Sequence, residues 1–177
     1  KETLYGAYKQ ANEHTAFVYY SDWKIPSIGI RPNIVYGLAR DQGISSVNTA
    51  AILASSLNQS FKIPYTGKYS WLYAGEAASA FIFSVLNNFD SSFVFNLNGQ
   101  CETLENGVSI LKTLNPSSNI TCSGSNFPFP PDLNDKPLRN FIGDYPTYTV
   151  KQGITDTYYS FLKLKEKGID LQINDVL

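Results

Sequence analysis

The sequence of 177 residues predicts an α/β fold on three observations. Short apolar runs bounded by turn residues alternate with longer segments in which apolar residues recur every three or four positions, the pattern of alternating strands and helices. Apolar residues make up 43% of the chain and charged residues 16%, the balance of a globular protein with a buried core. No internal repeat at a period of ~20–50 residues indicates a solenoid or propeller.

The first predicted element is a helix over residues 3–22. It begins at Thr3, a typical N-cap residue, and its apolar and aromatic positions recur through Tyr8 and Tyr19. A later helix over 75–86 is rich in Ala and Phe, which predicts that it is buried. The other predicted elements are, in chain order, a strand over 27–31, a loop over 36–46, a helix over 47–58, a strand over 61–65, a lead-in to the Ala/Phe-rich helix over 67–73, a strand over 92–97, a turn at 98–99, a helix over 103–114, a strand over 119–122, a loop over 123–137 and a helix over 150–167.

Composition and charge argue against several classes of protein. A net charge of −1 leaves no electrostatic footprint for nucleic acid or an anionic membrane, and no run of roughly 18 apolar residues predicts a transmembrane helix. Cys101 and Cys122 are far apart in the sequence. A disulfide between them is one alternative, and the expectation is two reduced thiols in a cytoplasmic protein. With His14 as its one histidine and no cysteine cluster, the chain is expected to hold no metal site.

One pair of residues is a candidate for proton-transfer catalysis. Tyr5 and Lys9 are four positions apart at the head of the first helix, which puts both side chains on one face. An ammonium beside a phenol stabilises the phenolate, and the positive end of the helix adds to this effect. Such a tyrosine can exchange a proton with an alcohol. The alternative is an ordinary surface contact, because this spacing is common by chance.

Four segments in order give the pair a context. Residues 4–13 read LYGAYKQANE, residues 30–37 read IRPNIVYG, residues 68–78 end in YAGEAA, and a helix begins near residue 149. Together they resemble the extended short-chain dehydrogenase/reductase family of NAD-dependent epimerases and dehydratases. That family has a Y-G-x-x-K-x-x-x-E helix, a strand ending in R-P-x-x-V-Y-G and a later Y-x-x-D-x-A block.

The resemblance implies roles for five residues. Tyr5 would be the general acid/base, and Lys9 would support it and hydrogen-bond the ribose of the nicotinamide cofactor. Backbone around Pro32, Asn33 and Ile34 would border the nicotinamide carboxamide. The cofactor would be NAD or NADP, with NAD favoured.

The resemblance also implies a substrate side, in the loop over residues 37–46. Arg40 and Gln42 are candidate contacts there, although Arg40 also fits a solvated loop charge. Many members that act on nucleotide sugars have an arginine that grips the diphosphate where this chain has Tyr69, which cannot form a charged bidentate clamp. The family often has asparagine where Ile34 stands. The expected substrate is a sugar or nucleotide sugar. Because Tyr69 stands in the place of the arginine, a smaller sugar or sugar acid is an alternative.

The family's glycine-rich phosphate turn is not found in the sequence, which has no methionine and opens on a helix. We therefore expect the C-terminal half of a Rossmann-like doubly wound fold plus the small substrate-binding lobe, within a longer protein. Residues 1–60 would end the dinucleotide-binding domain and carry the active-site helix. Residues 61–177 would form mainly the substrate-binding lobe, with segments that return to the sheet. Arg31 is expected to tie its strand to a neighbouring carboxylate.

The expected function is NAD(P)-dependent epimerisation, dehydration or dehydrogenation of a sugar, by a homodimer formed through the active-site helix. The alternative is a non-catalytic binding or regulatory member of the same fold. A third interpretation makes the aromatic helix from Tyr5 to Trp23 mainly a partner surface, which does not exclude catalysis.

Overall fold

The computed structural model describes residues 3–173. The elements in this part of the chain are α1 (Leu4–Trp23), β1 (Ser27–Pro32), β2 (Val35–Tyr36), a 3₁₀ turn (Ile44–Ser46), α2 (Val47–Ser56), β3 (Phe61–Thr66), β4 (Lys68–Tyr73), α3 (Ala74–Leu86), β5 (Ser92–Leu97), β6 (Gln100–Thr103), α4 (Leu104–Leu114), β7 (Ile120–Asn126), α5 (Lys136–Ile142) and α6 (Val150–Glu166). Helices and strands alternate as predicted, and the α/β class is confirmed.

The strands form three small sheets. β1 pairs in parallel with β5, in a register that runs from Ser27 opposite Ser92 to Pro32 opposite Leu97. β4 lies between β2, which is parallel to it, and β6, which is antiparallel, while β3 pairs in parallel with β7. Within residues 3–173 no strand pairs with the other edge of β1. A two-stranded parallel sheet of this kind depends on the layers packed against it.

Helices cover both faces of the β1–β5 sheet. Arg31 of β1 reaches Glu13 of α1, which places α1 on one face. Ile30 and Phe95 point to the other face, where they pack against a core shared with α3 and α5. The larger core lies between α2, α4, α6 and the other two sheets, around Tyr36. The polarity of β1 and the position of α1 together decide where the candidate site lies.

α1 has clear local causes for its bounds. The Thr3 side chain accepts a hydrogen bond from the Gly6 amide at 3.0 Å, and Lys24 ends the helix in the left-handed region at φ 56°. None of its 20 residues is fully buried in the described part of the chain. Leu4, Phe17 and Trp23 are among its exposed apolar side chains. Exposed apolar side chains grouped on one helix are typical of a surface that another chain or another part of a fold covers.

Several expectations about elements were wrong. The lead-in over 67–73 is mostly strand β4, and a second strand, β6, follows the turn at 98–99. The loop over 123–137 is shorter, because β7 extends to Asn126 and α5 begins at Lys136. α3 is not buried throughout: Ala77 and Ala80 face the core, since small side chains allow close packing, whereas Val85 and Leu86 are exposed.

Candidate functional site

The candidate site is a cleft of about 880 Å³ between α1 and β1. The first turns of α1 contribute Tyr5 and Lys9 to its lining, and the end of β1 contributes Arg31 and Pro32. Ligands of open α/β sheets bind outside the carboxyl ends of the strands, and Pro32 is the last residue of β1. Tyr5 and Lys9 therefore line a cleft that runs along β1 and reaches its carboxyl end.

Tyr5 and Lys9 lie together on the surface of α1. The Lys9 Nζ is 5.5 Å from the centroid of the Tyr5 ring, and Tyr5 is 72% exposed. Both belong to the first turns of the helix, at its positive end. The arrangement offers an accessible phenol oxygen and an ammonium to a molecule in the cleft.

The same local geometry recurs at the other end of α1. The Lys24 Nζ lies 5.3 Å from the Tyr20 ring centroid, also with four-residue spacing. There the Tyr20 hydroxyl donates to the Asp90 carbonyl at 2.7 Å, and Lys24 donates to the Ser21 carbonyl at 3.2 Å. Stacking of a lysine on a tyrosine is therefore not diagnostic in this helix. What distinguishes Tyr5 and Lys9 is their position at the carboxyl end of β1.

An ion pair fixes α1 against β1. Arg31 donates two hydrogen bonds to the Glu13 carboxylate, at 2.6 and 2.5 Å. This confirms the prediction that Arg31 ties its strand to a carboxylate. The hydrogen bond from Arg31 lowers the pKa of Glu13. Since Glu13 lies one helical turn beyond Lys9, the bidentate pair holds the Tyr5–Lys9 turns beside the end of β1.

Asn33 and Ile34 follow directly after β1. The Asn33 backbone N–H donates to the Leu97 carbonyl at 2.8 Å, and its side-chain Nδ2 donates to Asn98 Oδ1 at 2.7 Å and to the Pro130 carbonyl at 3.0 Å. The Ile34 side chain is buried in the larger core, and its carbonyl accepts a hydrogen bond from the Leu72 amide at 3.2 Å. Asn98 and Pro130 had not been singled out from the sequence. The rule that carboxyl ends of parallel strands meet would have pointed to Asn98, one residue past β5.

Arg40, Gln42 and Tyr69 form a separate group around the loop before α2. The Arg40 guanidinium donates to the Gln42 carbonyl at 2.8 Å and to Ser45 Oγ at 2.6 Å. Tyr69 is fully buried, its hydroxyl donates to the Ser45 carbonyl at 3.0 Å, and burial raises its pKa. None of the three predicted substrate contacts lines the cleft that holds Tyr5. Their hydrogen bonds stabilise the loop itself.

Residues 3–173 contain neither a cluster of metal ligands nor a helix suited to span a membrane. No three His, Cys, Asp or Glu side chains in this part of the chain lie close enough together to hold a metal ion. Its helices are too short or too polar to cross a membrane.

No family model matches the chain, and no curated protein matches it by sequence. Solved structures do match it. UDP-N-acetylglucosamine 4-epimerase from Bacillus cereus is 16% identical with a TM-score of 0.74, and the match covers 95% of this chain and 55% of that one. An L-threonine 3-dehydrogenase of partial consensus sequence is 16% identical with a TM-score of 0.76, over 88% of this chain and 55% of that one.

A third match is the dTDP-glucose 4,6-dehydratase of Bacillus anthracis, solved in complex with NAD. It is 20% identical with a TM-score of 0.68, over 93% of this chain and 54% of that one. This chain has the fold of the C-terminal half of a Rossmann-like epimerase or dehydratase. The predicted fold class is thus confirmed, and the chain spans about half the length of the solved proteins it matches. Identities this low show the fold alone.

Proposed function

We propose that this chain supplies the catalytic half of an NAD(P)-dependent enzyme that epimerises, dehydrates or dehydrogenates a sugar. One observation carries the proposal: an exposed tyrosine and an ammonium share a cleft at the carboxyl end of β1. Proton transfer to or from a hydroxyl needs an accessible group at that position. The solved proteins of the same fold include epimerases and a dehydratase, which favours this chemistry over others.

In the proposed reaction the Tyr5 oxygen, as phenolate, accepts the proton of a sugar hydroxyl. The carbon that bears this hydroxyl loses its hydrogen with both bonding electrons, and the carbon–oxygen bond becomes a carbonyl. Nicotinamide, when bound, is the acceptor of that hydride. Lys9 stabilises the negative phenol oxygen, and the helix N-terminus adds its positive field. The reverse transfer returns the proton from Tyr5 to the oxygen.

The residues present fit the nicotinamide end of such a cofactor. The Lys9 ammonium is a hydrogen-bond donor on the cleft surface and suits the hydroxyls of a ribose. Pro32 borders the same cleft, where its ring presents an apolar surface and no backbone N–H. We propose NAD as the cofactor, since solved structures of two proteins of this fold, an epimerase and a dehydratase, are complexes with NAD.

The free edge of β1 supports the view that the site is completed by another part of the fold. The cleft runs along this edge, and in the described part of the chain no strand covers it. We propose that the cofactor-binding sheet of the whole protein continues from β1. On this view residues 1–60 belong to the cofactor-binding domain and residues 61–177 mainly to the substrate-binding lobe.

Exposed aromatic side chains on α1 support a homodimer formed through this helix. Tyr8, Phe17, Tyr19 and Trp23 are all exposed. Sedimentation of the full-length protein should give the mass of a dimer. A monomer would rule this part of the proposal out. Cys101 and Cys122 are free thiols, as predicted, which fits the proposed cytoplasmic location.

The test uses the full-length protein that carries this chain, with nicotinamide reduction followed against a panel of sugars, sugar acids and nucleotide sugars. Tyr5→Phe should lower kcat about 100- to 10,000-fold, the range expected for loss of a general acid/base. Tyr8→Phe is the matched control, because Tyr8 lies on the same helix and is 69% exposed. It should leave kcat unchanged.

A second matched pair separates the roles of the two lysines. Lys9→Met should lower kcat and weaken NAD binding, whereas Lys24→Met, with the same stacking on a tyrosine, should change neither. Turnover that is unaffected by Tyr5→Phe would contradict the proposed mechanism. No turnover with any substrate, together with retained NAD binding, would favour a non-catalytic binding or regulatory protein.

A further inference from the structure

Three polar or charged side chains follow one another on a single face of α1. Tyr5, Lys9 and Glu13 are each four residues apart, so their side chains lie one helical turn after another. All three line the cleft beside β1, and so does Arg31. Lys9 therefore has two potential partners at the same spacing, the Tyr5 ring on one side and the Glu13 carboxylate on the other.

Lys9 lies on the Tyr5 side in the structure. Its Nζ is 5.5 Å from the centroid of the Tyr5 ring, and among residues 3–173 it forms no ion pair. Opposite charges one helical turn apart attract each other, so a free Glu13 carboxylate would compete for the ammonium. The position of Lys9 therefore has a cause outside the helix.

Arg31 of β1 supplies this cause. Its Nε and Nη2 donate to the two oxygens of Glu13, at 2.6 and 2.5 Å, so both carboxylate oxygens are engaged. A bidentate guanidinium holds a carboxylate in a fixed geometry, which the single ammonium of a lysine does not match. The carboxylate is thus held by the strand, and the ammonium of Lys9 is left to the tyrosine.

The burial of Glu13 makes this competition strong. Its side chain is only 20% exposed. A carboxylate withdrawn from water to this extent is costly without a partner, so without Arg31 it would draw in a cation. His14, the neighbouring basic residue, is exposed and leaves the helix roughly 100° away from Glu13. Lys9, one turn before Glu13 on the same face, is the cation that fits.

We propose that Arg31 is a positioning residue for the proton-transfer pair: by engaging both oxygens of Glu13, it prevents this carboxylate from drawing Lys9 away from Tyr5 and from a bound ribose. The proposal rests on the proposed function, since it concerns the same site. It goes beyond a tie between α1 and β1. A tie is lost when either partner is removed, whereas the competition for Lys9 ends when the carboxylate of Glu13 is removed.

Two variants of the full-length protein test the position of Lys9 directly. Arg31→Met frees the Glu13 carboxylate, and Arg31→Met/Glu13→Gln also replaces that carboxylate by a neutral amide. Crystal structures should show Lys9 in an ion pair with Glu13 in the single variant and over the Tyr5 ring in the double variant. Lys9 over the Tyr5 ring in Arg31→Met would overturn the proposal.

NAD binding, measured by calorimetry, gives a second readout that needs no sugar. Arg31→Met should weaken NAD binding about five- to tenfold, as expected for loss of one charged hydrogen bond, and Arg31→Met/Glu13→Gln should recover most of it. The kcat with the best substrate of the panel should change in the same order. His14→Gln, on the exposed side of α1, is the control and should change neither NAD binding nor kcat.

Both variants lose the tie between α1 and β1, so thermal unfolding should affect them alike. NAD binding that stays weak in a folded Arg31→Met/Glu13→Gln protein would show that only the tie matters and would refute the role of Arg31. Arg31→Gln is a milder second variant, because its amide can still donate one neutral hydrogen bond to Glu13. With and without Glu13→Gln it should give the same order of NAD affinities.

The two proposals fail differently. Unchanged NAD binding and turnover in Lys9→Met would refute the proposed function, and the crystal structures would still decide whether Arg31 keeps Lys9 from Glu13. Impaired NAD binding and turnover in Lys9→Met, without recovery in Arg31→Met/Glu13→Gln, would leave the proposed function in place and refute the role of Arg31.

Discussion

Gly153 of α6 allows a steric test of the larger core. A Cβ at this position would overlap the Tyr36 hydroxyl and would lie 3.0 Å from Tyr36 Cζ and 3.1 Å from Tyr73 Cβ. The Tyr36 hydroxyl is buried, and no described residue forms a hydrogen bond with it. Gly153→Ala therefore inserts a methyl group against a rigid aromatic ring.

Two effects of opposite sign decide the result of Gly153→Ala. Replacing glycine by alanine inside a helix stabilises it by about 1 kcal/mol. Overpacking of a well-packed core destabilises by about 1–3 kcal/mol, and the steric overlap here is severe enough to prevail. We expect the free energy of unfolding to fall by about 1–2 kcal/mol. Urea denaturation of the full-length protein, followed by circular dichroism, measures it.

The second variant, Tyr36→Phe, makes the prediction specific. It removes the overlapping oxygen and an unpaired buried hydroxyl, so alone it should be neutral or stabilising. In the Tyr36→Phe background Gly153→Ala should change the free energy of unfolding by less than about 0.5 kcal/mol, a coupling of roughly 1–2 kcal/mol. A coupling near zero, or stabilisation by Gly153→Ala in the Tyr36 background, would refute this account of the packing.

Three further predictions concern charge and exposure. The hydrogen bond from Arg31 lowers the pKa of Glu13 below its value of 4.5 in the unfolded chain. The stability that this ion pair contributes is therefore present above pH 4.5 and is lost as the pH falls. Glu13→Gln should remove this part of the acid sensitivity, as urea denaturation at several pH values would measure. Burial raises the pKa of Glu76 despite its contact with Arg139, so Glu76 affects stability with the opposite sign. The free energy of unfolding falls as the pH rises above 4.5. Glu76→Gln should make this pH dependence shallower. Val85→Lys on the exposed side of α3 should change the free energy of unfolding by less than ~0.5 kcal/mol. It should also raise solubility, which a precipitation assay measures. A loss of several kcal/mol would mean that this face of α3 is buried in the whole protein.

The sequence predicted the elements with strong local signals. The bounds of β5 were predicted as found, and α1 was placed within a residue at each end, because Thr3 caps the helix and Pro26 follows it closely. β4 was missed because polar and apolar residues alternate only from Lys68 to Trp71, and Leu72 and Tyr73 then break the pattern. α5 was read as loop because of Pro137, although proline is well tolerated in a first turn.

Only those parts of the candidate site that depend on residues close together in the sequence were predictable. Tyr5 and Lys9 follow from helical spacing, and the tie made by Arg31 follows from its place at a strand end. The network of Asn33 with Asn98 joins residues 65 positions apart, which depends on β5 returning beside β1. Nothing in the local sequence of residues 98–99, beyond a turn, reveals that neighbour.

The two tyrosine–lysine pairs of α1 show why the tertiary position has to be known before a role is assigned. Tyr5–Lys9 and Tyr20–Lys24 have the same spacing and nearly the same ring-to-ammonium distance. α1 runs antiparallel to β1, since Glu13 meets Arg31 near the end of the strand while the Tyr20 hydroxyl meets Asp90, before the start of β5. The second pair therefore lies at the amino end of the sheet, where its polar atoms bond to nearby carbonyls. Only the first pair lies at the carboxyl end, beside a cleft, so strand polarity, and not the motif, is the reason to propose it as the proton-transfer pair.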